Sequence, residues 1–386
     1  MAGFQSPITI NEAMQRIKNN EYLLPAFQRE YVWEPWQIEE LFDSALYTKN
    51  KEFVTWKTVG EDPQKVLYRN MDESLYSGRS GVLLILEEYL KYYHNERISN
   101  LRTILKESII KNYYLEDTCL FSGSNGYFYS ALRYNSEINS TVLNRVLWNI
   151  LSSNLKKIDI LSGSSSYVPV LDILVERYDD KNLIYQSQKK IGYFIKQNLM
   201  IEKENLKGLG HGYMGILYAL CLLEKRFKGQ YINDIKLLTD TLEQDFDKIG
   251  TLNNSWCNGV SGIGLAALKS SLYLDNEVLR VVADKCLNII KNNKVVTDLS
   301  ICHGIGSEIE FLIEYQKQCG VNIQNLIDNR IFSLLDIYEK NRRFQLYENQ
   351  FCKNWGLFTG RCGVIYMLLR YLHPNIPSIL TLEFKE

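Results

Sequence analysis

Two cysteines and a histidine stand at matched places in this chain and could together hold a metal ion. Cys257 lies two residues before Gly259, and Cys302 lies two residues before Gly304 with His303 between them. Two thiols and an imidazole suit Zn²⁺, which takes Cys sulfur at about 2.3 Å and His nitrogen at about 2.0–2.1 Å. Three protein ligands leave one tetrahedral position open, as in a catalytic zinc site. His211 precedes Gly212, the same place that His303 holds before Gly304. A cysteine taken singly is ordinarily a small buried hydrophobe. The shared register is what sets these residues apart, and the other six cysteines lack it.

That register belongs to a repeat. A short Gly-x-x-Gly element followed by an apolar run recurs seven times, led by Gly78, Gly123, Gly163, Gly212, Gly259, Gly304 and Gly360. The spacings are 45, 40, 49, 47, 45 and 56 residues, room for two helices and two connections per unit. Ser166 and Ser307 replace the second glycine in two copies. The residue before the leading glycine is Ser77, Ser122, Ser162, Asn258 or Thr359 in five copies. These types predict an N-cap whose side-chain oxygen satisfies an orphan backbone N–H. The run behind it is apolar all round, as for a buried inner helix. Between copies lie amphipathic stretches such as 186–198, with Ile191, Phe194 and Ile195 on one face, which read as outer helices. A closed ring is favoured over an open array. Only in a ring do equivalent positions of neighbouring units converge on one mouth.

Composition narrows the class. The 386 residues are 46% hydrophobic and 23% charged, which excludes a disordered or collagen-like chain. The net charge of −1 sets up no global field toward nucleic acid or an anionic membrane. Seven prolines suit a helical protein. No run approaches the roughly 20 apolar residues of a membrane span, and the start MAGFQSPITI lacks the pattern of a signal peptide. Eight cysteines in so long a chain do not make a disulfide scaffold, so a cytoplasmic protein with reduced thiols is expected.

The elements GLGHGYMG, SWCNGVSG, SICHG and GLFTGRCGVIYMLLR resemble those of the lanthionine synthetase C-like cyclases, from about residue 50 onward. The resemblance implies an all-α fold, an α/α toroid of seven inner and seven outer helices. It also implies zinc held by Cys257, Cys302 and His303. The implied activity is addition of a peptide cysteine thiol to dehydroalanine or dehydrobutyrine, giving a lanthionine or methyllanthionine thioether. Zinc favours the thiolate, which is the nucleophile. His211 then reads as the general acid that protonates the resulting enolate. Asp159, in Asp-Ile-Leu-Ser-Gly163, matches the family's Asp-x-x-x-Gly element and is expected to assist proton transfer or orient a partner. Asn253, four residues before Cys257, stands where many relatives carry an arginine. The implied partners are a dehydrated precursor peptide and a separate dehydratase, with no nucleic acid firmly implied.

The N-terminal part reads differently. The stretch LPAFQREYVWEPWQIEELFDS resembles the start of the DUF262 family, with Gln28, Arg29 and Trp33 the residues nearest its pattern. The Asp-Gly-Gln-Gln-Arg element that continues that family is missing, so no nuclease activity carries over. The expected division is residues 1–48 as this fragment and 49–386 as the toroid. Two other functions fit the same residues. One is addition of a small thiol such as glutathione to dehydroamino acids. The other is a non-catalytic, defence-associated protein that captures a peptide in the ring mouth.

Overall fold

The computed structural model describes residues 45–47, 54–59, 68–111, 119–123, 125–134, 140–202, 207–341, 344–346, 350–352 and 354–384. Gln28, Arg29 and Trp33 lie outside the described residues, as does nearly all of 1–48.

The seven apolar runs form seven helices: α1 (Arg79–Leu90), α3 (Asn125–Tyr134), α5 (Tyr167–Arg177), α7 (Tyr213–Arg226), α9 (Val260–Ser270), α11 (Ile305–Cys319) and α13 (Arg361–Leu372). Among the described residues six of the seven expected outer helices alternate with them: α2 (Glu96–Lys111), α4 (Ser140–Ser152), α6 (Asn182–Glu202), α8 (Ile232–Gln244), α10 (Glu277–Asn292) and α12 (Gln324–Asn341). The first set is buried on nearly every face; in α9 all of Val260–Ser270 is enclosed. The second set is buried along one stripe, as in α6, where Ile184, Ile191, Ile195 and Leu199 are buried and Tyr193 is 64% exposed. Each pattern follows from its sequence, since an all-apolar helix must be covered all round and an amphipathic one on a single face. Three short antiparallel hairpins were not foreseen. They pair β1 (Leu46–Tyr47) with β2 (Val54–Thr55), β3 (Lys57–Val59) with β4 (Tyr68–Asn70), and β5 (Phe344–Leu346) with β6 (Gln350–Cys352).

The ring closes. Inner helix α5 packs on α7, α7 on α9, α9 on α11, α11 on α13, and α13 returns to α1, which packs on α3. The loops before the inner helices form a belt of backbone hydrogen bonds at one register. Phe358 N–H donates to Tyr76 O, Tyr76 to Phe121, Leu161 to Gly210, His211 to Cys257, Cys257 to Cys302, and Cys302 to Phe358, at 2.9–3.4 Å. The remaining junction, between Phe121 and Leu161, is bridged by the Cys119 thiol on Leu161 O and by Leu120 N–H on the Ser166 hydroxyl. An open array has no reason to join its last unit to its first, so the fold is an α/α toroid.

The predicted caps are corrected. The N-cap is the leading glycine itself at α1, α7, α9, α11 and α13, with no side-chain cap. The first helical N–H is instead taken by the carbonyl six residues before that glycine: Arg79 on Asp72, Val260 on Asn253, Ile305 on Asp298 and Arg361 on Asn354. That carbonyl lies so close to the glycine that a Cβ on Gly259 would overlap the Asn253 oxygen, which is why a side chain is excluded there. The side chain at the same place folds the turn, with Asn253 Oδ1 accepting from Ser255 N–H at 3.0 Å and Asp298 Oδ1 from Ser300 N–H at 2.7 Å. Asn253 thus fills a turn position that recurs around the ring. At the degenerate copies, the Ser307 hydroxyl bonds Gly304 O and Asn254 O, and the Ser166 hydroxyl bonds Gly163 O.

Residues 376–382 run inside the ring and are buried. Their backbone is held from several sides: Trp256 Nε1–H on Leu380 O, Tyr218 OH on Thr381 O, and Arg133 and Tyr366 on Pro377 O. Partners on α3, α7 and α13 converge only on a segment near the ring axis. Beside it, Arg370 lies between Glu310 and Glu314 at 2.5 Å each, and all three side chains are wholly buried. Lys269 joins Glu314 to Glu383. Among the described residues no helix is long and apolar enough to cross a membrane.

Candidate metal centre

The inner helices begin at one mouth, and the loops that lead into them carry the candidate residues. Cys257 enters α9, Cys302 and His303 enter α11, His211 enters α7, and Asp159 lies before α5. The donor atoms of Cys257, Cys302 and His303 all fall within 4.8 Å of one another. Both thiols are buried, while His303 is exposed toward solvent. Cys302 Sγ and His303 Nε2 are 3.8 Å apart. Two ligands at zinc distances and a tetrahedral angle are about 3.6 Å apart, so the Cys302–His303 pair matches that spacing and the third donor lies within reach of the same ion.

The electrostatics favour charge at one of the two sulfurs. The hydrogen bond from the Cys302 thiol, then that with His303, overcomes burial and lowers the Cys257 thiol far below its ordinary value. Burial and the adjacent Cys257 sulfur push the Cys302 thiol up. Burial alone lowers the His303 imidazole, but the Cys257 sulfur and then the Asp298 carboxylate raise it overall. The Cys257 sulfur is thus held toward thiolate beside the Cys302 thiol and the His303 imidazole, a place that a divalent cation can take. The N-termini of α9 and α11 follow directly, and their partial positive charge favours thiolate. The Tyr76 hydroxyl donates to Cys302 Sγ at 3.0 Å.

The second pair also meets. His211 Nδ1 and Asp159 Oδ2 are 2.8 Å apart, and His211 N–H donates to Cys257 O at 2.9 Å, which ties the imidazole to the loop that carries the thiol. Asp159 further accepts from Ser162 N–H and Oγ. Burial alone raises the Asp159 carboxyl, but the bonds from His211 and Ser162 outweigh it and hold the group below its usual range. With Nδ1–H committed to a carboxylate, Nε2 is left to exchange protons.

Two contributors were not singled out from the sequence. Tyr76 occupies the register of Cys257 and Cys302 in the first unit, so the repeat alignment carried the signal. Gly210 occupies it in the fourth unit, where an added Cβ would lie 2.9 Å from Cys257 Cα and 3.0 Å from its Cβ. Of the other cysteines, Cys119, Cys221, Cys286 and Cys362 are buried packing residues and Cys319 is exposed. His94 is exposed. His373 instead stacks on Tyr92 with ring centroids 3.7 Å apart.

Comparison with known proteins agrees with this architecture. The profile of the family described as lanthionine synthetase C-like protein matches residues 69–383. The chain is 24% identical to the lacticin 481/lactococcin biosynthesis protein LcnDR2 of Lactococcus lactis subsp. lactis, over 86% of this chain. It spans 39% of the length of that relative. Its fold is similar to that of nisin cyclase, with a TM-score of 0.62 and 18% identity, covering 81% of this chain and 92% of the other. With the profile matching most of the chain, and with the closed ring and seven-fold repeat beneath it, this protein belongs to the lanthionine synthetase C-like protein family.

Proposed function

We propose that this protein is a zinc-dependent cyclase that joins cysteine thiols of a dehydrated precursor peptide to dehydroalanine or dehydrobutyrine. The observation that carries the reading is the meeting of Cys257, Cys302 and His303 at the ring mouth, with the His211–Asp159 pair on the adjoining loop. Cys257, Cys302 and His303 hold the zinc. When bound, the ion supplies a positive charge that favours the thiolate form of a substrate cysteine at neutral pH.

In the reaction the thiol S–H bond breaks, a C–S bond forms at the β-carbon of the dehydroamino acid, and the C=C π pair moves onto the carbonyl as an enolate. His211 donates a proton to the α-carbon and is recharged with the proton the thiol released, so the addition is balanced and mass is conserved. Asp159 holds the imidazole in the tautomer that leaves Nε2 for this transfer and stabilises the ring while it is charged. Dehydration of serine and threonine is a separate reaction, which we assign to a separate dehydratase. Similarity to a lacticin 481/lactococcin biosynthesis protein and to nisin cyclase supports a lanthionine-forming role, and the family match supports the substrate class.

Two measurements test this. Purified protein is expected to hold close to one zinc per chain, lost in Cys302→Ala. A dehydrated cysteine-bearing peptide incubated with the zinc protein is expected to lose its reactivity toward a thiol-alkylating reagent without change of mass. A folded, zinc-free wild-type chain, or peptide thiols that stay fully alkylatable, would overturn the proposal.

A further inference from the structure

The Tyr76 hydroxyl is 3.0 Å from Cys302 Sγ, although the two residues are 226 apart in sequence and lie in different units of the ring. Its reach is built into the belt. Phe358 stands between the two units, donating its N–H to Tyr76 O and accepting from Cys302 N–H. The Tyr76 ring lies flat on the Phe358 ring, with centroids 5.0 Å apart and planes inclined by 14°. Phe358 is in turn wedged against Phe121 and Trp256 at 5.2 Å each. Asp72 folds the loop that carries Tyr76 by accepting from Ser74 N–H at 2.9 Å. Ring, backbone and loop are all fixed, so the hydroxyl is held at the sulfur.

We propose that Tyr76 is a positioning residue of the metal centre: its O–H donates to the Cys302 thiolate, aims that sulfur at the metal and lowers its electron density. The inference rests on the zinc-site reading above and deepens it. A site that binds substrate through sulfur gathers three thiolates, and the chemistry requires that the substrate's react rather than the protein's. Cys302 is wholly buried and carries a hydroxyl donor, which draws charge from it relative to a thiolate that carries none. A hydrogen bond to a ligand sulfur draws charge from it, and loss of such an outer partner typically weakens metal binding by about 10–100-fold.

The test uses cobalt(II) as the probe, in wild type, Tyr76→Phe and Tyr129→Phe. Tyr129 donates to Glu383 O at 3.1 Å, away from the thiols, and controls for loss of a buried hydroxyl as such. Tyr76→Phe is expected to bind one cobalt, to shift the thiolate-to-cobalt charge-transfer band to longer wavelength, and to weaken cobalt affinity by about 10–100-fold. Tyr129→Phe is expected to leave both unchanged. An unshifted band and unchanged affinity in Tyr76→Phe, with cobalt bound in wild type, would overturn the role of Tyr76 and leave the metal site standing. Failure of wild type to bind cobalt at all would overturn the site itself, and the inference with it.

Discussion

Gly210→Ala places a methyl group against Cys257, the first of the proposed metal ligands, and the structure allows its effect to be worked out. The new Cβ would lie 2.9 Å from Cys257 Cα, 3.0 Å from Cys257 Cβ and 3.2 Å from the Trp256 ring. The first is backbone and cannot rotate away. Retreat of the Gly210 loop is resisted by hydrogen bonds on both sides, Leu209 N–H to Trp256 O and His211 N–H to Cys257 O, each 2.9 Å. Overpacking of this kind costs about 1–3 kcal/mol, and weakening the two bonds adds on the order of 1 kcal/mol. The expected loss of stability is therefore about 2–4 kcal/mol, read by urea unfolding. Because Cys257 itself must shift, zinc affinity read by chelator competition is expected to fall by about 10-fold or more. Gly250→Ala is the control, since nothing lies within 4 Å of its added Cβ, and it should stay within about 0.5 kcal/mol of wild type. A Gly210→Ala protein as stable as Gly250→Ala, with undiminished zinc affinity, would refute the close approach and the argument built on it.

Further perturbations probe other parts of the ring. Arg370→Ala strands the fully buried Glu310, while Glu314 keeps Lys269, and is expected to destabilise by about 3–5 kcal/mol in unfolding measurements. Asp159→Asn removes a carboxyl whose folded value lies below its unfolded value of about 3.9. Its stabilisation is present above that pH and is lost as pH falls through the lower folded value. The stability gap between wild type and Asp159→Asn should therefore hold at pH 5 to 7 and close below about pH 4; a gap that widens in acid would contradict the direction. The same substitution should slow cyclisation far more than it changes zinc content, as expected of a residue that acts through His211. Deleting residues 376–386 removes the acceptor of the Trp256 indole N–H, and the Trp256 emission should shift to the red with loss of stability. An unchanged spectrum would place that segment outside the ring.

Much of the site could be read along the chain. The seven leading glycines, the apolar runs behind them and the matched places of Cys257, Cys302 and His303 are local features with a period of about 45 residues. A repeat carries its register with it, so ligands in neighbouring units can be aligned without any coordinates. Inner and outer helices were legible for the same reason, since burial on all faces or on one face leaves its mark within a single helix. The cap was misread because Ser, Asn and Thr before a glycine look like caps, while the group that takes the helix N–H is a backbone carbonyl, which any residue type can supply.

Other features were decided between units. Whether α13 returns to α1 depends on small rotations that add up over seven repeats, and no single repeat records their sum. The burial of residues 376–382 exists only once partners from several units surround them. Tyr76 meets Cys302 because ring closure brings the first unit within two places of the sixth. The sequence alone picked out the candidate residues and the register that Cys257 and Cys302 keep, as do His211 and His303; the tertiary structure decided which of them touch, because contact across a closed ring is a property of the whole circuit.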